Sequence, residues 1–369
     1  MTIAASNPKA EPVCTTQFEP AKEADPNTQP YLPGLELIAP FVEHTDNNQS
    51  NTVEFFDALV VFSMDHAREG QRFIEVEKVF RGRTFKVRVA PATVERGGKP
   101  IMVLPGLREN LVEKALRKIA SEDQEHLGVT FNTDTKNAEF WVKFTLYQLR
   151  KTLSGQGHDF KISQLVEALE VLRGARLTIT GEIGAFADGA DTNYLQSLVW
   201  RRKRTNDVAG KEYKICAKLH PYITRSIVDR TFRQIDFAKL MQPKNELARW
   251  LFQRMSHNYI QADHLAHVSW QRGSKNAGYH LSLLTIIRET GLSFASLKYA
   301  MAAVRTALEV LRKHDILRST TWLGEPFKGW EEVKHYGDSK GGRKPITDVI
   351  FYLFPSLSVT EDIIKAGRK

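Results

Sequence analysis

Cysteine is nearly absent: the 369 residues contain two, Cys14 and Cys216. They stand far apart in sequence without metal-ligand spacing. This argues against a disulfide scaffold or a cysteine-held zinc site and fits a reduced, cytoplasmic setting. No apolar run reaches the roughly 18 residues that a membrane helix needs, so no membrane partner is expected. The N-terminus has no basic segment leading into an apolar core, so no secretory signal is expected either. No low-complexity tract interrupts residues 51–369. With 42% hydrophobic residues the chain can build packed cores, and its length allows one to three domains.

Enzyme signatures are also missing. The best approach to a phosphate-binding loop is Gly337-x4-Gly342 followed by Arg343, Lys344 and Pro345, where Lys and then Ser or Thr are required. A metal-dependent nickase needs two histidines flanking one apolar residue, and Lys218-Leu219-His220 supplies only one. His264 and His267 read as structural or exposed histidines rather than ligands. The acidic pairs Glu331-Glu332 and Glu361-Asp362 are neighbours facing different directions, and no set of nucleophile, base and orienting group emerges. The expectation is a protein that is not an enzyme and has no cofactor or metal. Tyr213, Tyr222, Tyr259 and Tyr299 stay open as strand-cleaving nucleophiles.

What the chain has is positive charge, unevenly placed. Formal net charge is +9 with a pI near 9.3. Residues 1–50 hold two of the 52 bases and seven of the 43 acids, so the remainder carries +14. A body this basic points to an anionic partner, nucleic acid first. The acidic, Pro- and Asn-rich stretch 1–50 reads as a disordered tail, with an apolar patch at Tyr31–Val42.

Periodicity then gives an α+β chain. Arg72–Phe80 and Thr84–Ala90 alternate as a hairpin turning at Arg81-Gly82-Arg83. A helix runs from Pro105 to about Ser121, with Leu107, Leu111, Ala115, Leu116 and Ile119 on one face. Ala138–Val142 reads as a strand, Thr145 as the N-cap of helix Leu146–Leu153, and Ile162–Arg173 as a second helix ended by Gly174. The buried stripe of that helix is Ile162, Leu165, Val166, Leu169 and Leu172. Leu177–Thr180, Ser197–Arg204 and Lys211–Ala217 read as strands. The theme repeats with helices Asn245–Asn258, Leu281–Thr290 (stopped by Gly291) and Phe294–His314. Ile316–Trp322 and Ile346–Phe354 then read as paired strands around a polar excursion, Gly324–Pro345. Two helices followed by a basic hairpin, first in Phe144–His220 and again in Leu281–Phe354, is the layout of a winged helix. The fold expectation is two tandem winged-helix domains, 51–228 and 229–358, between the acidic tail and a C-terminal tail, 359–369.

The candidate DNA-binding residues follow from that layout. The solvent face of the Phe294–His314 helix offers Ser296, Lys298, Tyr299, Arg305 and Thr306, side chains suited to groove edges and phosphates. Its wing offers Lys328, Lys340, Arg343 and Lys344. In the first unit, Lys161, Ser163 and Gln164 open the second helix, and Arg201, Arg202, Lys203 and Arg204 crowd the hairpin after Trp200. Arg272 and Lys275 precede the Leu281 helix and suit phosphate contacts.

Three segments resemble the iteron-binding replication initiators of plasmids, the Rep and TrfA-like group. They are Phe140–Ile179 (FWVKFTLYQLRKTLSGQGHDFKISQLVEALEVLRGARLTI), Tyr213–Tyr259 (YKICAKLHPYITRSIVDRTFRQIDFAKLMQPKNELARWLFQRMSHNY) and Ser293–Leu317 (SFASLKYAMAAVRTALEVLRKHDIL). The resemblance covers about residues 80–355. It implies a trailing domain that binds repeated double-stranded origin sites and a leading domain that adds DNA contacts and dimerises. A homodimer in equilibrium with monomer, autorepression by the dimer, and host initiator and replicative helicase as partners are implied as well. A winged-helix transcriptional regulator is the competing reading, and a nickase or integrase the third.

Overall fold

The computed structural model describes residues 49–64, 72–80, 82–122, 126–131, 138–181, 189–202, 213–229, 231–259, 278–321, 323–338 and 344–367. Within them ten helices and fifteen strands form a mixed α/β structure whose named strands all pair antiparallel. No described helix is long and apolar enough to cross a membrane. The acidic stretch through residue 48 lies outside the described residues. Gln49 and Ser50, read as the end of a tail, already belong to a strand.

The first half begins with β1 (Gln49–Val53), α1 (Glu54–Leu59), β2 (Ile74–Phe80), β3 (Arg83–Ala90), β4 (Ala92–Arg96) and β5 (Lys99–Val103). It continues through α2 (Leu107–Glu122), β6 (Leu127–Phe131), β7 (Ala138–Thr145), α3 (Leu146–Ser154) and α4 (Ile162–Gly174). The strands β8 (Arg176–Gly181), β9 (Gly189–Asn193), β10 (Ser197–Arg202) and β11 (Tyr213–Lys218) follow, then α5 (Pro221–Val228). The expected β2–β3 hairpin is present, turning at Gly82 with φ 76° and burying Phe85, Val87 and Val89 on one face. Thr145 caps α3 as expected, its Oγ1 accepting from the Gln148 N–H at 3.1 Å.

The second half comprises β12 (Phe232–Asp236), α6 (Phe237–Met241), α7 (Glu246–Asn258), β13 (Tyr279–Ser282), α8 (Leu283–Thr290), α9 (Leu297–Lys313), β14 (Trp330–Tyr336), β15 (Ile346–Leu353) and α10 (Leu357–Gly367). Two hydrophobic cores result. One gathers side chains from Val53 to Met241, the other from Ile235 to Ile363. They meet at β12 and α6, where Phe237 and Met241 enter the first core while Ile235 and Leu240 enter the second.

Four sequence expectations need correction. Of the expected strand Ile316–Trp322, the described residues 316–321 do not pair with β15, and Trp322 lies outside the described residues. Ile316 and Leu317 are buried directly after α9, and Leu317 makes only an isolated bridge to Pro355. The partner of β15 is β14, inside the stretch read as a polar excursion, because WEEVKHY projects Val333–Tyr336 into solvent and so shows no core pattern. Gly174 does not terminate α4 through a left-handed turn. It is there because α4 presses on β4, where an added Cβ would lie 2.9 Å from the Ala92 Cβ. Ile162, read as part of the α4 stripe, is exposed. Residues 359–367 are helical rather than a tail, since Val359 and Ile363 complete the second core and Asp362 pairs with Lys239 at 2.7 Å.

Gly329 launches β14 at φ 84°, and a Cβ there would meet the Arg318 carbonyl oxygen at 2.7 Å. Gly324 has φ 82° with nothing within 4 Å. Both substitutions strain the backbone, but only Gly329→Ala also forces backbone apart. Gly329→Ala is expected to cost about 1–3 kcal/mol more than Gly324→Ala in chemical denaturation; equal losses would place the strain in φ alone.

Candidate nucleic-acid interface

The β7–α3–α4 and β10–β11 elements and the β13–α8–α9 and β14–β15 elements are built alike. In each half a strand leads into two helices and a hairpin returns to pair with that strand. The sheet orders are β10-β11-β7-β6 and β13-β15-β14, so the opening strand pairs with the closing strand of the hairpin in both. The first half differs by inserting β8–β9 before its hairpin, and these extend the β2–β3 sheet instead.

Local chemistry sets the second helix pair. Ser282 caps α8, its Oγ accepting from the Thr285 N–H at 3.1 Å. Gly291 ends α8 in the left-handed conformation at φ 69°, where its N–H reaches the Ile287 carbonyl, as the sequence predicts. The chain then turns into α9, which buries Ala300, Met301, Val304, Ala307, Leu308 and Leu311. The stripe every three or four residues leaves Lys298, Tyr299, Ala302, Arg305, Thr306 and Lys313 on the exposed side. Ser296 occupies the N-cap with no side-chain cap bond and is exposed. The Thr306 hydroxyl donates to the Ala302 carbonyl at 3.0 Å, leaving its lone pairs and methyl for an incoming surface.

The structure gives Arg305 a partner that the sequence did not reveal. Its Nε donates to Glu332 Oε1 at 2.9 Å and its Nη2 to Oε2 at 2.6 Å, joining α9 to β14. The hydrogen bonds from Arg305 hold the Glu332 carboxyl below its ordinary value. Trp330, buried in the second core, donates its indole N–H to the same carboxylate at 3.3 Å. Lys328 Nζ lies 5.4 Å from the centre of the Trp330 ring, within cation–π range. Beyond these, Lys334, His335, Tyr336 and Lys344 are exposed towards the hairpin tip. Lys340, Arg343, Arg272 and Lys275 lie outside the described residues.

In the first half, Lys161 and Ser163 are exposed at the start of α4. Gln164 uses its Oε1 to accept from the Lys161 backbone N–H at 2.8 Å, so it caps the helix. Arg201 and Arg202 end β10 opposite Lys214 and Tyr213. Lys203 and Arg204 fall outside the described residues. Trp200 is exposed, while Lys218 is neutralised by Glu139 at 2.8 Å.

No family model matches the chain, and no curated protein matches its sequence. Among solved structures, a crystal structure of selenomethionine derivatives of domains 2 and 3 of RctB is 8% identical over 81% of this chain and 97% of that one, with a TM-score of 0.46. A crystal structure of RctB domains 2–3 is 9% identical over 85% of this chain and 99% of that one, with a TM-score of 0.45.

Proposed function

We propose that this chain is a sequence-specific DNA-binding protein with two tandem winged helices that initiates replication from repeated double-stranded origin sites. The shared sheet order of the two halves carries the reading. In each, the opening strand pairs with the last strand of a hairpin, and two helices sit between them. That connectivity presents the second helix to a major groove and the hairpin to the adjoining backbone. The exposed polar side of α9 and the +14 carried outside residues 1–50 supply the complementary chemistry. Two such units in one chain suit recognition of an extended or repeated site. Origin opening would then draw on binding and bending energy, with no catalytic group of the protein's own.

In this proposal the first unit adds backbone contacts and self-association, monomer and dimer exchange, and the dimer represses the chain's own gene. Host initiator and replicative helicase join at the opened origin. Footprinting on DNA flanking the chain's own gene, with competitor DNA, tests the reading. Regularly spaced protected repeats in phase with the helical turn support it. A single palindrome over the promoter would replace it with a transcriptional regulator, and metal-dependent strand cleavage would replace it with a nuclease.

The electrostatic part has its own signature. Changing Lys298, Lys334 and Lys344 together to Gln should weaken binding on every sequence. If each lysine neutralises one phosphate, the slope of log K against log salt should shrink by about 3. The ratio of specific to non-specific affinity should stay nearly constant. An unchanged slope would put these lysines off the DNA.

A further inference from the structure

We propose that Glu332 is a positioning residue that holds Arg305 in the orientation in which its remaining N–H groups read a guanine. This rests on the DNA-binding reading above. A guanidinium is planar and carries five N–H donors. The bidentate pair with Glu332 uses Nε–H and one N–H of Nη2. Both hydrogens of Nη1 and the second hydrogen of Nη2 stay free, and one from each nitrogen forms the end-on fork that matches O6 and N7 of guanine in the major groove.

The geometry around this pair suits a fixed support. Arg305 is 44% exposed, so the fork can reach a partner, whereas Glu332 is 12% exposed. The carboxylate is pinned from a second side by the indole N–H of Trp330, itself 3% exposed and anchored in the second core. Glu332 is also held in register, paired with Phe351 across the hairpin. A core tryptophan therefore fixes a carboxylate, the carboxylate fixes an arginine, and the arginine points out of the exposed side of α9. A long side chain immobilised before binding loses less freedom on forming its contact. The same ion pair couples the helix to the hairpin, so backbone contacts by the wing and base contacts by α9 share one register.

The test uses the full chain and a randomised 20-base-pair duplex library, with bound sequences selected and read. The position whose preference disappears in Arg305→Ala identifies the base under Arg305, and the expectation there is guanine. Glu332→Ala should reduce the preference for guanine at that position alone by about tenfold, with non-specific affinity equal or higher because a negative charge has been removed. Glu332→Gln, which keeps the shape and one acceptor, should fall between wild type and Glu332→Ala. In an Arg305→Ala background, Glu332→Ala should have no further effect at that position. If Glu332→Ala strengthens binding equally on all sequences and leaves the guanine preference intact, Glu332 is a competing acid and the proposal falls alone. If the wild-type chain enriches no sequence, the DNA-binding reading falls and takes this one with it.

Discussion

Replacing Arg117 with alanine is expected to cost about 3–5 kcal/mol of folding stability, the range for removing one partner of a buried ion cluster. Arg117 lies on α2, and its side chain is 2% exposed. Its Nη2 donates to Asp57 Oδ1 of α1 at 2.8 Å and to Glu113 Oε2 at 2.9 Å, while Nη1 reaches Asp57 Oδ2 at 3.1 Å. Burial alone would raise the Asp57 carboxyl. The Arg117 charge, with the contacts from His257 and the Lys114 charge, outweighs it and holds that carboxyl far below the usual carboxylate range. Burial likewise pushes the Glu113 carboxyl up, so Glu113 is the weaker acid of the two. Without the guanidinium, two buried carboxylates face each other with Lys114 as the neighbouring cation. Its Nζ donates to Gln253 of α7 at 2.9 Å, and Asn110 likewise bonds Glu246. The cluster therefore joins the two cores as well as filling one. A guanidinium-chloride titration of Arg117→Ala checks the cost, and a loss below about 1 kcal/mol would mean that water reaches these charges. Combining Arg117→Met, Asp57→Leu and Glu113→Leu with Lys114→Met, which removes the remaining buried cation of the cluster, should recover much of the loss, since an apolar cluster of similar volume needs no compensating charge.

The second large effect is acid sensitivity centred on His220. Its Nδ1 caps α5 by accepting from the Tyr222 N–H at 3.1 Å. Its ring packs against Phe56 and Tyr222, with centroids 4.9 and 5.1 Å away. Burial pushes the imidazole down to about 3 from its ordinary 6.5. The folded chain thus keeps His220 neutral between those values while the unfolded chain binds a proton. Stability contributed by this group is complete above pH 6.5 and falls towards pH 3 by about 1.4 kcal/mol per unit, roughly 3 kcal/mol lost by pH 4. Asp57 has the same sign but acts only below the ordinary carboxylate range, so the two separate along the pH axis. His220→Asn retains a cap acceptor and removes the proton site. Its stability-against-pH curve should be flatter than wild type by one proton between pH 6.5 and 4. Parallel curves would show that the ring is hydrated or finds an anionic partner.

How much of this was legible beforehand depends on the range of the signal. The apolar stripes of α7 and α9, the Thr145 cap and the stop at Gly291 were readable, because each arises within one or two turns of chain. The order of the longer helices followed from them, whereas α1, α5, α6, the β4–β5 hairpin and the first strand of the β14–β15 hairpin did not. The polar face of α2 was not readable in this way. Its periodicity marks one apolar face, yet Glu109, Glu113, Lys114, Arg117 and Lys118 are buried too, because α1 and α7 cover the other side.

The candidate interface divides along the same line. By itself the sequence determined that α9 would show a polar, basic side and that a hairpin would follow it, since charge and a 3.6-residue period are properties of one segment. Only the tertiary structure decided that β14 pairs with β15 and that Arg305 meets Glu332, 27 positions away. A strand that projects into solvent leaves no core pattern, and an ion pair between a helix and a hairpin exists only once both pack on the same core.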